Sequence, residues 1–533
     1  MNKNKLFNLE PLYGHRILGK VIALALSILM VTATVMSNAS PAVAANYDAE
    51  YRINRTLNVS GKGNYNIRTI HQYYDENEYV SLRDMANALN GTGAQFGVSI
   101  GKTSIVLTTG AAYSPVGNEN SYFDGNTRAQ SEPEYERKRN SFTVNGYNHH
   151  YYTFIYETDT GIYDCYMYLT DLVLILEKNV WTSGDVLCIN PDEKLVLNMQ
   201  QLEAEDFFSG TNTVLIGDAT TGEVYYTYNG DASAAMASTT KLMTYLVVMD
   251  AVTNGQISLT DTVAVSANVN RLSYAVDGVI RMATGQTVSV NDLLGGMLLP
   301  SSNECALALA EHVAGSEEAF VNKMNAKAAA IGLSEATRFY NCNGLPTYTD
   351  TAFESKIQNR ISSKDMFKLV SYILAVYPQI TDITSKTSLT LSTLGRTVYN
   401  TNPMLYNMQG VVGMKTGTTN KAGCCLVSAM QLTGSDGVHT LVAVELGAED
   451  VVTRNYISKT LLMYGKQVFT SGGVSSIENY DASKYSVEGS GIIGEGVPED
   501  PDTLAQLIVW TARKNMEIPE PENIEIPEDA PGF

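Results

Sequence analysis

Ser238 and Lys241 stand three residues apart in the run Ser238-Thr-Thr-Lys241. A serine hydroxyl is a weak nucleophile until a neighbouring base takes its proton. A lysine can be that base when burial and nearby cations lower its pKa. The spacing suits a helix, where positions i and i+3 share a face. A serine at a helix start also meets the positive end of the helix dipole, which favours charge developing on its oxygen. Two further clusters follow: Ser301-Ser-Asn303, after the apolar run Gly295–Pro300, and Lys415-Thr-Gly417. Ser301 could relay a proton, and Asn303 could hold an amide oxygen. Lys415 and Thr416, on a strand edge, could grip a carboxylate, while Gly417 lets a ligand approach the backbone. The N–H groups of Ser238 and Thr418 are candidates for an oxyanion hole. Together these groups point to acyl transfer through a serine ester.

The chain contains internal controls. Ser99-Ile-Gly-Lys102 has the same serine–lysine spacing, but it falls in a strand-like run where i and i+3 point to opposite faces. Lys386-Thr-Ser388 imitates the third cluster without a comparable strand behind it. The elements around the three clusters can be read from periodicity. Val214–Ala219 and Glu223–Tyr228 are strands about the turn Thr220-Thr-Gly222. Helices fit Thr239–Ala251, Val290–Leu299, Asn303–Val313 and Glu317–Ile331, the last with Phe320, Met324 and Ala328 on one face. Strands return at Gly410–Lys415, Cys425–Met430 and Thr440–Leu446, and Val451–Tyr464 closes as a helix. Strands, a helical block, then strands and a closing helix is an α+β pattern.

The chain of 533 residues has room for two or three domains. Residues 1–45 read as an export signal. Lys3, Lys5, Arg16 and Lys20 precede the uncharged run Val21–Met36, and Ala42-Val-Ala44 offers a cleavage site. The rest of the chain is therefore expected outside the cytoplasm. Residues 46–200 contain a repeat: Tyr79–Leu89 matches Tyr166–Leu176 in spacing, with Leu82, Asp84 and Leu89 opposite Leu169, Asp171 and Leu176. Each copy runs on into a strand-like stretch, so a strand, short helix and strand is used twice. Asp84 and Asp171 fall near helix starts, where a carboxylate suits the dipole. Residues 205–470 form the chemical domain. Residues 474–533 are Gly-, Pro- and Glu-rich, with thirteen acids against three bases, and read as a disordered tail. The net charge of −20 excludes a nucleic-acid partner. Six cysteines are too few for disulfides to carry the fold; Cys165 and Cys188 could pair or stay free. His149-His150 reads as a solvated loop pair, and no metal or cofactor is expected.

In this order, the three clusters are the signature of active-site-serine enzymes acting on D-Ala-D-Ala or on penicillins. The segment 205–470 resembles the low-molecular-mass penicillin-binding proteins of the serine D-Ala-D-Ala carboxypeptidase family. Phe320–Lys327, Phe339-Tyr-Asn-Cys-Asn-Gly-Leu-Pro346, Asn400–Leu405 and Gly413–Gly423 match it too. The resemblance implies a β-lactamase/DD-peptidase-like fold and a Ser238 acyl-enzyme that releases terminal D-Ala from peptidoglycan stem pentapeptides. It also implies covalent inhibition by β-lactams and places Arg454 near a carboxylate pocket. Ser302 stands where the family commonly has Gly, and Val412 where it commonly has Asp. The alternatives are a class A-like β-lactamase, which needs a further carboxylate, and a non-catalytic wall-binding protein. Residues 60–192 resemble the copper amine oxidase N-terminal-like repeat, which implies a spacer in contact with the cell wall and does not imply copper.

Overall fold

The computed structural model describes residues 50–72, 75–122, 138–157, 161–183, 186–204, 206–275, 278–348 and 356–473. The segments expected to be an export signal (1–45) and an acidic tail (474–533) lie outside them.

The first half is one ten-stranded sheet with two short helices. Its elements are β1 (Glu50–Val59), β2 (Gly63–Gln72), β3 (Asp75–Ser81), α1 (Leu82–Leu89), β4 (Phe96–Ile100) and β5 (Ser104–Thr109). The same series then repeats as β6 (Lys138–Val144), β7 (Tyr147–Glu157), β8 (Tyr163–Tyr168), α2 (Leu169–Leu176), β9 (Lys178–Ser183) and β10 (Val186–Lys194). The repeating unit is thus longer than strand–helix–strand: it has three strands before its helix and two after. The sheet order is β4-β5-β6-β7-β8-β3-β2-β1-β10-β9. Exchanging each strand for its counterpart in the other copy returns the same order reversed, which is two-fold pseudosymmetry. Val80 pairs with Met167 at the centre, flanked by Tyr79 with Tyr168 and Ser81 with Tyr166. Each copy lends its last hairpin to the other, through the parallel pairs β1–β10 and β5–β6.

The two helix-start carboxylates have different partners. Asp84 accepts from Arg68 through Nε at 2.8 Å and Nη2 at 2.7 Å, a bidentate pair buried beside Asp164, which lies 3.1 Å from Arg68. Asp171 instead meets Lys459, from the second half of the chain, at 2.7 Å. Ion pairing therefore adds to the helix-dipole role expected for both. His149 corrects a sequence expectation: it lies in β7 and is buried, stacked 5.7 Å from Tyr151. The alternation of β7 turns it inward, and adjacency to a second histidine carries no information about that. All six cysteines are free and buried.

The second half is a five-stranded antiparallel sheet with a helical block. The strands are β11 (Thr213–Asp218), β12 (Glu223–Tyr228), β13 (Val411–Thr419), β14 (Gly423–Gly434) and β15 (Gly437–Ala448), ordered β12-β11-β15-β14-β13. β13 is an edge. The helices that bear on the site are α3 (Lys241–Thr253), α4 (Val290–Leu298), α5 (Asn303–Ala314), α6 (Glu317–Ala330), α7 (Ser363–Val376), α8 (Met404–Asn407) and α9 (Val451–Ser471). This is the α+β arrangement expected from the order of strands and helices. Ten of the thirteen residues of α3 are buried, so it is the central helix of the block and needs no polar face. Leu242, Leu246 and Met249 pack there with Leu293, Leu309, Phe320 and Leu369. The two halves share one apolar core. Leu172 and Phe142 of the first belong to the same cluster as Met404, Ile457 and Leu461 of the second.

Replacing Arg68 with Met leaves Asp84 and Asp164 buried without their cation. Breaking a buried pair from one side costs about 3–5 kcal/mol. A loss of that size in unfolding free energy, read from the lowered urea midpoint of Arg68→Met by tyrosine fluorescence, is the expected outcome.

Candidate active site

The nucleophile candidate is set by a tight turn. Ala237–Thr240 is a single 3₁₀ turn that runs directly into α3 at Lys241. Side chains at i and i+3 eclipse in that geometry, and Lys241 Nζ lies 2.7 Å from Ser238 Oγ. Ala237 has φ 45°, a left-handed conformation that costs a non-glycine residue about 1–3 kcal/mol. The surroundings hold it there. Asn359, fully buried, donates through Nδ2 to Thr240 Oγ1 at 3.0 Å and accepts from the N–H of Tyr340 at 2.6 Å. Its carbonyl accepts from Met236 N–H at 3.2 Å. One side chain therefore ties the nucleophile turn to the loop 340–346.

Lys241 is completely buried, and burial pulls its ammonium down to about 7, although Cys342, Glu304 and Cys305 act in the opposite sense. Its Nζ has four oxygen neighbours: Ser238 Oγ, Asn303 Oδ1 at 2.8 Å, Asn343 carbonyl O at 2.9 Å and Ser301 Oγ at 3.4 Å. A neutral amine has two hydrogens and one lone pair. The Asn303 and Asn343 oxygens only accept, so they take both hydrogens. The lone pair is left for a hydroxyl, and Ser238 is the nearer one. The deprotonated form is the one this geometry can use.

Ser301 also has left-handed backbone, φ 70°. The helix cap expected at Ser301 belongs to Ser302, whose Oγ accepts from Cys305 N–H at 3.1 Å. The departure at position 302 is thus a working N-cap for α5, and Ser301 is free of that duty. Asn303 begins α5 and turns inward.

The third cluster occupies β13. Lys415 is buried; its Nζ donates to the Thr416 carbonyl at 2.9 Å. Burial, then the charges of Lys241 and Arg454, hold Lys415 well below the ordinary lysine range. Among the described residues, no carboxylate lies within ion-pair distance of Lys415. Lys415 and Arg454 thus face a place where an incoming carboxylate would offset their crowded charge. Thr416 is buried, with Oγ1 2.5 Å from Thr401 Oγ1. Thr418 is exposed on the same strand, opposite Cys424. Arg454 lies in the first turn of α9, its guanidinium on Asn455 Oδ1 at 3.0 Å, within electrostatic reach of Lys415.

Gly417 has a different reason from the one its motif suggests. A Cβ there would lie 2.7 Å from Ser238 N and 3.0 Å from Thr239 N. The strand edge presses against the nucleophile turn itself, before any ligand enters. Gly344 is placed likewise: its φ is 91°, and a Cβ would strike the Ala237 carbonyl. Asn343, Gly344 and Asn359 are the residues sequence reasoning assigned no role. The run Asn341-Cys-Asn-Gly-Leu-Pro346 was a signal, since an amide-rich loop with glycine and proline marks a fixed backbone. Nothing in it showed that a carbonyl would reach Lys241. Of the control pair, Ser99 lies in β4 as expected, whereas Lys102 falls in the bend beyond its end and not in the strand.

A family model described as D-alanyl-D-alanine carboxypeptidase matches residues 200–450, and the ten-stranded sheet precedes it. D-alanyl-D-alanine carboxypeptidase DacF of Bacillus subtilis is 33% identical over 238 residues, which cover 44% of this chain and 57% of the relative. D-alanyl-D-alanine carboxypeptidase DacD of Salmonella typhimurium is 30% identical over 304 residues, covering 56% of this chain and 73% of the relative. The chain spans 57–62% of the length of the first curated relatives it matches. Among solved structures, penicillin-binding protein D2 of Listeria monocytogenes in its ampicillin-bound form is 28% identical. It covers 48% of this chain and 97% of its own, with a TM-score of 0.42.

Two outcomes follow from this geometry. The rate at which a serine-directed acylating reagent modifies Ser238 rises with pH and levels off above about 7, because the lysine must lose its proton to act. Intact-mass kinetics from pH 5 to 9 measure it. Gly417→Ala forces β13 off the Ser238 and Thr239 amides. Its acylation rate falls about 100-fold, the loss typical of one misplaced oxyanion donor, with the thermal midpoint recorded alongside.

Proposed function

Because the chain belongs to the D-alanyl-D-alanine carboxypeptidase family, we propose that it removes the terminal D-Ala from peptidoglycan stem pentapeptides. The observation that carries this is the hydrogen count at Lys241. With both N–H groups taken by Asn303 and Asn343, its lone pair faces Ser238 Oγ at 2.7 Å. The substrate carboxylate enters beside Lys415, Thr416 and Arg454 and offsets their crowded charge. Ser238 Oγ attacks the carbonyl of the penultimate D-Ala as its proton moves to Lys241. The negative oxygen is held by the N–H groups of Ser238 and Thr418. As the C–N bond breaks, the leaving amine takes a proton from Lys241, relayed by Ser301. Free D-Ala departs and a serine ester remains. Water adds to the ester, giving up its proton to Lys241, and the shortened peptide leaves while Ser238 recovers its hydrogen.

A β-lactam offers the same arrangement of amide carbonyl and carboxylate, so it acylates Ser238 as well. The β-lactamase alternative needs a carboxylate to activate water. Glu304 is the nearest acid following Asn303, and its Oε1 accepts from the Val279 N–H at 2.9 Å and from Ile280 N–H. Glu317 accepts from Cys342 N–H at 3.1 Å. Both have structural duties, which favours a long-lived adduct. A peptidoglycan substrate also places the enzyme outside the cytoplasm, in keeping with the charged and apolar pattern of residues 1–45.

Incubation with a muramyl pentapeptide should release D-Ala and shorten the peptide by one residue, followed by mass spectrometry. Fluorescent penicillin should label the native protein and leave Ser238→Ala unlabelled. Labelling that survives Ser238→Ala, or no D-Ala release by the native protein, overturns the proposal. Rapid turnover of the penicillin adduct would favour the β-lactamase.

A further inference from the structure

The two-fold symmetry of the first half breaks at one functional point. By sheet register, Thr69 pairs with Val80 and Thr153 pairs with Met167, the two central residues. Arg68 therefore corresponds to Tyr152. The first copy carries its own cation for the helix-start Asp84. The second copy brings none at that position, yet Asp171 is buried too. A buried carboxylate without a partner is costly, and here the partner comes from α9. Lys459 Nζ reaches Asp171 at 2.7 Å and lies 5.2 Å above the Tyr151 ring.

Lys459 shares α9 with Arg454. Five residues on a helix rise about 7.5 Å and turn onto a different face. One face of α9 thus serves the cation cluster while the other is fixed by the repeat domain. The attachment has further points. Gln467 Nε2 donates to the Leu195 carbonyl at 2.8 Å, and its Oε1 accepts from Leu197 N–H at 2.9 Å. A second arm reaches the other wall of the site. Tyr151 OH donates to the Asn407 carbonyl at 3.4 Å, at the end of α8. Just before α8, Asn402 Nδ2 donates to the Gly413 carbonyl at 2.8 Å, and Thr401 meets Thr416. Two of the three groups expected to hold the substrate carboxylate, Arg454 and Thr416, are backed by elements that the repeat domain touches.

We propose that the N-terminal repeat domain is a built-in support of the carboxylate subsite, with Asp171, through Lys459, as the positioning residue that sets Arg454. The proposal rests on the carboxypeptidase function given above, and it assigns the domain a role inside the enzyme. Asp171 touches no reacting atom; it acts through α9.

The test uses the full chain with Asp171→Asn, Lys459→Met and, as a control on the same helix, Lys466→Met. The last removes only the more exposed pair with Glu177, and such pairs contribute little. Two substrates are compared: a peptide ending in D-Ala-D-Ala, and the same peptide with its terminal carboxylate amidated. The expected result is a rise of about tenfold in KM for the acid in Asp171→Asn and Lys459→Met, with kcat kept and the amide's kcat/KM unchanged. Lys466→Met matches the native protein. Equal losses on acid and amide, or no change in KM in a folded variant, would overturn the proposal. Amide hydrogen exchange is measured on the same variants. Faster exchange over 451–460 in Asp171→Asn supports the coupling, and unchanged exchange there counts against it. If the native protein releases no D-Ala, the carboxypeptidase proposal fails by itself, and exchange still decides whether Asp171 holds α9.

Discussion

A fully buried lysine with two acceptor oxygens on its amine is the constraint around which the second half of this chain is arranged. In water, an ammonium is stabilised by solvent. At Lys241 that solvent is gone, and among the described residues no carboxylate takes its place at contact distance; the fixed oxygens belong to an amide side chain and a backbone carbonyl. These suit a neutral amine with two hydrogens. They come from widely separated parts of the chain, Asn303 at the start of α5 and Asn343 in the loop after α6. The helical block must bring both against α3, and the buried apolar faces of α3, α5 and α6 do this. Core packing and the protonation state of Lys241 are therefore one problem: a core that loosened enough to admit water would also raise the lysine's pKa.

Two strained residues lie at the same place. Ala237 and Ser301 are both left-handed without being glycine, and the Ser238 and Ser301 hydroxyls lie 2.7 Å and 3.4 Å from the Lys241 amine. Each puts a serine hydroxyl where a relaxed backbone would not. The surroundings that hold them are specific: Asn359 braces the nucleophile turn, Ser302 caps α5 one residue beyond Ser301, and two glycines, 344 and 417, let backbone come close to the turn. The positive cluster of Lys415 and Arg454 is a strain of another kind, electrostatic and relieved by an anionic ligand.

The ten-stranded domain follows a different logic. Its two copies exchange their last hairpins, so neither closes its sheet without the other. The exchange makes the domain one body, and the missing cation of the second copy then binds that body to α9. A domain that reads from sequence as an attached spacer shares an apolar core and a buried ion pair with the part that holds the site.

The residue types of the site were legible in the sequence because acyl transfer demands a nucleophile, a base, a relay and a carboxylate grip, and few short patterns supply all four in order. Ser238, Lys241, Ser301, Asn303 and Lys415 are found together for that reason. Helix and strand identities were legible wherever one face is buried, as in α6, and the duplication was legible because Leu82, Asp84 and Leu89 recur with their spacing intact. The sequence could not reveal which oxygens surround the lysine, since Asn343 acts through a backbone carbonyl that any residue has. Nor could it reveal that Ser302 caps and Ser301 does not, or that His149 turns inward, because register decides both. Least legible was the partner of Asp171. Lys459 lies 288 residues away, and an ion pair at that separation leaves no local pattern. Local chemistry and periodicity are written along the chain, whereas the distance between two charges exists only once the chain is packed.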